Sequence, residues 1–159
     1  MNIEIESRES IEARAKKPFP AHTALISIAD PDCDFVLLEN RPEYLLQLKF
    51  DDVSNDDYNE ILEDYPSTAE ATKAAQKYNW FNDEQASEIA VFVKPVKDKA
   101  EILICQCEYG QSRSAGLAAA VKQFLDKSGI DIFADDRYYP NKLVYRKVLA
   151  ALEKTERGV

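Results

Sequence analysis

Apolar and polar residues alternate at strand spacing in several parts of the chain. Ile3 and Ile5 are flanked by glutamates, which predicts a short strand. The apolar run 23–28 predicts a buried strand that stops at the turn residues Asp30 and Pro31. The remaining strand candidates are residues 35–38, 45–50 and 101–105. Together these segments predict a sheet of about four or five strands.

Helix signals fill the stretches between the strands. The first predicted helix, 10–17, ends at a pair of prolines, and an acidic loop is predicted to begin at Asp51. Ser67 and Glu70 have the Ser-x-x-Glu spacing of a capping box, which predicts a helix that runs to about residue 78. Because alanines dominate this helix, we expect it to lie on the surface.

Three longer helices are predicted from apolar stripes that recur at helical spacing. The first follows the cap residue Asn82 and has its stripe at Ala86, Ile89, Ala90 and Val93. The second has its stripe at Leu117, Val121, Phe124 and Leu125. Gly129 is the expected C-terminal cap of the second helix, and the third begins near Pro140 and Asn141. The stripe of the third helix is formed by Val144, Val148, Ala151 and Leu152.

Strands separated by helices predict an α/β fold, with a central, mostly parallel sheet flanked by helices. We find no repeat or linker, so residues 1–159 are expected to form a single domain. Ligands of such sheets bind at the carboxyl ends of the strands, and Cys107 follows the predicted strand 101–105 directly. The sequence therefore predicts that a ligand binds at the segment that begins at Cys107.

Composition narrows the classes of function. The net charge of −9 argues against a nucleic-acid or membrane-surface partner, which usually requires a basic surface. The chain has neither a signal-peptide pattern at its start nor an apolar run of membrane-spanning length. Its three cysteines are an odd number, which fits free thiols in a reducing compartment. We therefore expect a cytoplasmic protein that has to build any anion site locally.

The segment 107–114 has the features of such an anion site. The chain contains four glycines, and Gly110 is the first of them. A glycine in a strand-to-helix turn allows successive backbone amides to point inward, toward an anion at the helix N-terminus. Arg113 adds a planar fork of donors that suits two phosphate oxygens.

The same surroundings favour the thiolate form of Cys107, since amides, a helix N-terminus and an arginine all stabilise negative charge. A thiolate beside a bound phosphate is placed to attack phosphorus and form a phosphocysteine. The hydroxyl of Ser114 is placed to stabilise the thiolate when it leaves in the second step. The residue alone also allows a simpler interpretation, a buried structural cysteine at a strand end.

The complete loop resembles the signature of the protein tyrosine and dual-specificity phosphatases, Cys-x-x-Gly-x-Ser-Arg-Ser. The matching positions are Cys107, Gly110, Ser112, Arg113 and Ser114. The likeness is strong in the loop and weaker over about residues 25–152, where Pro140-Asn141 is similar to the pair that opens the last helix of dual-specificity enzymes. The resemblance implies a cysteine-phosphatase fold and a phosphorylated protein or small phosphomonoester as substrate. The implied phosphate-binding residues are Glu108, Tyr109, Gly110, Gln111, Ser112 and Arg113.

The family also uses an upstream aspartate as general acid. By its position after a predicted strand, Asp52 resembles this acid, and Asp51 is the close alternative. The acid would protonate the leaving oxygen and then accept a proton from water. Without the loop, two acidic residues at a strand end would be interpreted as a solvated turn.

Two features depart from the family pattern. Gln106 stands where the family commonly has histidine before the nucleophile, so stabilisation of the thiolate is expected to be weaker. The segment 53–80 is longer than expected between the acid and the next helix, and is either a substrate-recognition lid or a surface insertion.

Two other classes of function are compatible with this loop. A phosphate- or phosphopeptide-binding module would use the same loop without turnover. A sulfurtransferase or arsenate-reductase-like enzyme would also place a cysteine in an anion loop, but the upstream aspartates and Ser114 favour the phosphatase. No cofactor is expected, and one histidine with a Cys-x-Cys pair, Cys105 and Cys107, does not predict a metal site.

Overall fold

Four parallel strands form the sheet within the part of the chain that the computed structural model describes, residues 1–65 and 67–156. The strands are β1 (Asn2–Glu6), β2 (Thr23–Ala29), β3 (Tyr44–Lys49) and β4 (Ile102–Gln106). Their order across the sheet is β1-β4-β2-β3, so β4 lies in the interior and pairs with β1 on one side and β2 on the other. The predicted α/β fold with a central parallel sheet is confirmed.

Seven helices connect and cover the strands in the same part of the chain. They are α1 (Arg8–Arg14), α2 (Asn55–Asp64), α3 (Thr68–Ala75), α4 (Asp83–Val96), α5 (Arg113–Asp126), α6 (Ile130–Phe133) and α7 (Lys142–Glu156). The cap that was predicted at Asn82 is present, because Asn82 and Gln85 form a reciprocal capping box. None of these helices is long and apolar enough to cross a membrane.

The interior of the sheet is buried on both faces at β2, whereas the edge strands β1 and β3 are mostly half-buried. Alternate residues of β2 point to opposite faces, and all seven of its residues are buried. Ala24, Ile26 and Ile28 join a large core cluster with α4, α5 and α7, whereas Leu25 joins a smaller cluster that includes Ile11 of α1. This burial on two faces explains why β2 appears in the sequence as a continuous apolar run rather than an alternating one.

The strand predicted at 35–38 is absent, and this prediction was wrong. β3 occupies the free edge of β2, in register from Ala24 with Tyr44 to Ala29 with Lys49. In the absent strand's place, Val36 is buried in the smaller core cluster and the amide of Leu37 donates to Glu12 Oε2 at 2.7 Å. The segment therefore buries apolar side chains without joining the sheet.

Two helix predictions also need correction. α3 begins as predicted, with the Ser67 hydroxyl accepting from the Glu70 amide, but its alanines are not on the surface. Ala71, Ala74 and Ala75 are buried, since α3 contacts α2, a helix that was not predicted. Gly129 does not cap α5. Lys127 takes the left-handed conformation at the helix end, with φ of 65°, and its amide donates to Gln123 O.

Candidate active site

The segment 107–112 connects β4 to α5 at the carboxyl edge of the sheet. Because β4 is an interior strand, it delivers Cys107 to the middle of this edge, where the side chain is buried. α5 begins at Arg113, so its unpaired N-terminal amides face the same place. The sheet topology thus brings a thiol and a helix N-terminus together.

Gly110 gives the loop its turn and allows it to approach the backbone of a neighbouring segment. Its φ is +67°, in the left-handed region that favours glycine. A Cβ at this position would lie 2.8 Å from both Glu6 C and Ser7 N. The loop is hydrogen-bonded to the same junction of β1 and α1, since Cys107 N donates to Glu6 O at 3.3 Å. A side chain at 110 would therefore disturb both the turn and the packing.

The Cys107 thiol lies against Ser114 in the first turn of α5. Its Sγ is 3.0 Å from Ser114 Oγ, and the Ser114 amide donates to Sγ at 3.4 Å. Ser114 is fully buried, so its hydroxyl is held in this place. Both contacts would stabilise negative charge on sulfur.

Arg113 is buried, and a single nitrogen of its guanidinium, Nη1, makes the hydrogen bonds that orient it. Nη1 donates to Asp30 Oδ1 at 2.7 Å and to the carbonyl of Phe50 at 2.8 Å. Nε is also buried and has no hydrogen-bond partner among the described residues. An unpaired buried donor is costly, so Nε is a donor that a ligand of this site could satisfy.

The two candidate acids have different surroundings. Asp52 Oδ1 accepts from Ser112 Oγ at 2.7 Å and from Asn141 Nδ2 at 3.0 Å, so its carboxylate lies beside the loop. Asp51 Oδ2 accepts from the amide of Asn79 at 2.7 Å, and the Asp51 amide donates back to Asn79 O at 2.8 Å. Asp51 therefore fastens the end of the 53–80 segment, whereas Asp52 contacts the loop.

Gln106, the last residue of β4, holds the start of the loop by hydrogen bonds. Its side chain is fully buried; Oε1 accepts from the Ser27 hydroxyl, and Nε2 donates to the carbonyl of Cys107 at 2.9 Å. The neutral amide therefore fixes the backbone of the nucleophile. Gln106 thus bonds to the backbone of Cys107 and not to its Sγ atom.

The remaining loop residues have separate surroundings. Glu108 Oε2 accepts from Arg8 Nε at 2.8 Å, and Tyr109 is 79% exposed. The carbonyl of Gln111 accepts from Tyr139 N at 2.8 Å. The backbone of 111 and 112 is thus held by the segment before α7, and a cleft of about 420 Å³ lies next to it, between the start of α2 and the start of α7.

Three residues at the site were not singled out from the sequence: Arg8, Asp30 and the side chain of Asn141. Asp30 offered a usable signal, since it follows β2 directly and so lies at the same sheet edge as Cys107. Asn141 was noted only for its place at the start of the last helix, and its contact with Asp52 had no signal in the sequence. Arg8 offered no signal.

The other cysteines and the histidine lie outside this arrangement. Cys105 is a free, fully buried thiol whose pKa is raised by burial and, secondarily, by the nearby Cys107. Cys33 is free and exposed. His22 lies in a turn beside Glu43. Over residues 1–65 and 67–156 there is no cluster of side chains suited to a metal ion.

The expected cysteine-phosphatase fold is confirmed, because a solved structure shares this arrangement of sheet and helices over nearly the whole chain. That structure is the crystal structure of Tk-PTP in the active form, with a TM-score of 0.52, 15% identity, and coverage of 97% of this chain and 92% of that one. The crystal structure of PTPMT1 also matches, with a TM-score of 0.40, 12% identity, and coverage of 99% and 94%. No protein-family model and no curated protein matches the sequence.

Proposed function

We propose that the protein hydrolyses phosphomonoesters through a phosphocysteine intermediate. The substrate is a protein that carries phosphotyrosine, with or without phosphoserine and phosphothreonine, or a small phosphomonoester. One observation carries the proposal. Cys107 Sγ lies at the N-terminus of α5, within 3.4 Å of the Ser114 amide, and the buried Nε of Arg113, at the end of the same loop, has no partner within residues 1–65 and 67–156. A nucleophile and unsatisfied anion donors in one loop suit attack on a bound phosphate.

In the first step, the Cys107 thiolate attacks phosphorus and the bond from phosphorus to the leaving oxygen breaks. Loop amides and Arg113 stabilise the charge on the transferred phosphoryl oxygens. The protonated carboxyl of Asp52 gives its proton to the leaving oxygen. We assign this role to Asp52 rather than Asp51 because Asp52 contacts Ser112 of the loop, whereas Asp51 bonds to Asn79.

In the second step, water attacks the phosphocysteine and gives a proton to the Asp52 carboxylate. The bond from sulfur to phosphorus breaks, and inorganic phosphate and the thiolate are released. Ser114 Oγ, 3.0 Å from Sγ, donates to the departing thiolate and makes it a better leaving group.

The direct test is turnover of an aryl phosphate with inhibition by vanadate. Cys107→Ser should abolish turnover, because a serine hydroxyl lacks the nucleophilicity of the thiolate. Cys33→Ser is the matched control, since Cys33 is an exposed thiol, and this variant should retain wild-type turnover. Normal turnover by Cys107→Ser would exclude the mechanism.

A second experiment separates the two aspartates. Asp52→Asn should slow hydrolysis most for esters with poor leaving groups, which need protonation, by about 100-fold, and little for activated ones. Asp51→Asn should instead weaken the contact with Asn79 and slow all leaving groups equally. If the leaving-group dependence appears in the Asp51 variant, the assignment is reversed.

Gln106 favours one alternative, a phosphopeptide-binding module without turnover. Its hydrogen bonds join Ser27 and the Cys107 carbonyl, so it brings no positive charge to the thiol. Calorimetric binding of a phosphopeptide by a protein that does not hydrolyse it would support this alternative. Transfer of sulfur from thiosulfate to cyanide would indicate a sulfurtransferase instead.

A further inference from the structure

We infer that Arg8 is a positioning residue for phosphate binding, which neutralises the carboxylate of Glu108 and holds the phosphate loop against the junction of β1 and α1. This inference rests on the proposed function, because it concerns the same loop. Arg8 lies 100 residues from Glu108 in the sequence, at the start of the first helix.

Two direct contacts join Arg8 to the residue that follows the nucleophile. Arg8 Nε donates to Glu108 Oε2 at 2.8 Å, and the Arg8 amide donates to Glu108 O at 3.0 Å. The side chains are 22% and 27% exposed, so this ion pair is less screened than one on the open surface. One residue thus holds both the backbone and the side chain of Glu108.

A carboxylate at position 108 is unfavourable for an anion site. The loop must accept a phosphate dianion, and the carboxylate one residue after Cys107 opposes its approach. The overall charge of −9 adds to this opposition rather than relieving it. Pairing Glu108 with Arg8 offsets this unfavourable charge and holds that side chain against the start of α1.

Arg8 also reaches the segment that orients the loop arginine. Its Nη2 donates to the carbonyl of Asp34 at 2.6 Å, and Asp30, four residues earlier, accepts from Arg113 Nη1. The Arg8 side chain therefore connects the loop after β4 with the loop after β2. Both loops supply groups to the candidate phosphate site.

Arg14 provides a matched comparison on the same helix. Its side chain is 27% exposed and pairs with Glu4 and Glu6 of β1, at 3.3 Å and 2.9 Å. These ion pairs use the carboxylates of Glu4 and Glu6, whereas the loop meets the backbone of Glu6. A variant of Arg14 therefore loses an ion pair of similar exposure and leaves the charge of the loop unchanged.

The test compares Arg8→Gln, Glu108→Gln, the double variant, Arg8→Lys and Arg14→Gln in the full chain. For each protein, KM and kcat for an aryl phosphate and the inhibition constant of vanadate are measured at low and at high salt, with urea unfolding alongside. Direct binding of vanadate is measured by calorimetry, so that the result does not depend on turnover.

Arg8→Gln should raise KM and the vanadate constant about fivefold to tenfold, with a smaller change in kcat, and high salt should reduce the defect. In the double variant, which also lacks the Glu108 carboxylate, KM and the vanadate constant should return to within about twofold of wild type. Arg8→Lys keeps the positive charge, so its two constants should lie between those of wild type and Arg8→Gln. Arg14→Gln should lower stability but leave both constants unchanged.

Equal effects of Arg8→Gln and Arg14→Gln on the two constants would overturn the inference. So would a double variant no better than Arg8→Gln, since the defect would then be structural rather than electrostatic. If Arg8→Gln fails to fold, the double variant and Arg8→Lys decide the question by their vanadate constants. A wild-type protein that binds vanadate without turnover would refute the proposed hydrolysis alone. One that binds no oxyanion would refute both.

Discussion

Asn141 Nδ2 donates to Asp52 Oδ1 at 3.0 Å and to the carbonyl of Val53 at 3.1 Å. The same side chain caps α7, since its Oδ1 accepts from Val144 N, and the backbone amide of Asn141 donates to Ser112 O. One buried residue thus joins the last helix, the phosphate loop and the candidate acid. The pair Asp52–Asn141 is separated by 89 positions in the chain.

Replacing Asn141 by Ser should separate its two roles. Serine is a good N-cap, so α7 should remain capped, but the amide that holds Asp52 is lost. We expect kcat for a poor leaving group to fall about tenfold, because the acid is less well placed. Rates with an activated ester should change little.

Asn82→Ser is the control for this variant, since the Asn82 side chain caps α4 in the same way, by accepting from a backbone amide three residues later. Urea unfolding of both variants should give similar, small losses of stability. An equal fall in kcat with all leaving groups in Asn141→Ser would exclude a role for Asn141 in placing the acid.

Replacing Asp30 by Ala should weaken oxyanion binding. Asp30 holds Nη1 of Arg113, and without it the guanidinium loses a charge-assisted hydrogen bond and its orientation. We expect the vanadate inhibition constant to rise about tenfold, which corresponds to the loss of one hydrogen bond to a charged group.

Asp32→Ala is the matched control, because Asp32 is exposed in the same turn. Asp30→Asn keeps an acceptor for Arg113 and should fall between wild type and Asp30→Ala. Unchanged vanadate binding in Asp30→Ala would show that Phe50 O alone orients the arginine.

Replacing Gln106 by Leu should destabilise the protein by about 2 kcal/mol, since it leaves the buried groups that Gln106 bonds, the Ser27 hydroxyl and the Cys107 carbonyl, without that partner. Adding Ser27→Ala should recover part of the loss by removing one of those groups. A double-mutant cycle measured by urea unfolding should give a coupling of about 1 kcal/mol. Additive effects would contradict the hydrogen bond between the two side chains.

Replacing Gly110 by Ala should reduce both stability and oxyanion binding. The left-handed conformation costs an L-residue about 1–2 kcal/mol, and the added methyl group meets the backbone of Glu6 and Ser7. Calorimetry should show vanadate binding weakened more than tenfold, because the loop amides move.

Gly129→Ala is the comparison for steric effects alone. A Cβ there would lie 2.6 Å from Ala119 O, but the residue has a negative φ and lies outside the phosphate loop. It should lose stability and keep its vanadate constant. A similar loss of vanadate binding in both variants would indicate general destabilisation rather than a loop effect.

The elements that could be predicted from the sequence are those whose signals lie within a few residues. The caps at Ser67 and Asn82 and the buried stripe of α4 involve spacings of three or four positions, and all were found as predicted. The predictions at 35–38, Gly129 and the alanine face of α3 were wrong. Tertiary contacts decided two of these outcomes: the edge taken by β3 and the packing of α3 against α2. The third is local, because the amide of Lys127 caps α5 by donating to Gln123 O four residues earlier, and a lysine is not a residue typical of that left-handed position.

In the candidate site, too, the features set by neighbouring residues could be predicted and those set by distant residues could not. The run from Cys107 to Ser114 is continuous, so the sequence by itself determined that a thiol, a glycine turn, an arginine and a helix N-terminus would lie together. What orients them was decided only by the tertiary structure. Asp30 and Arg113 are 83 positions apart, and Arg8 and Glu108 are 100 apart. These pairs meet because β4 is inserted between β1 and β2, and patterns of a few residues do not encode the order of strands in a sheet.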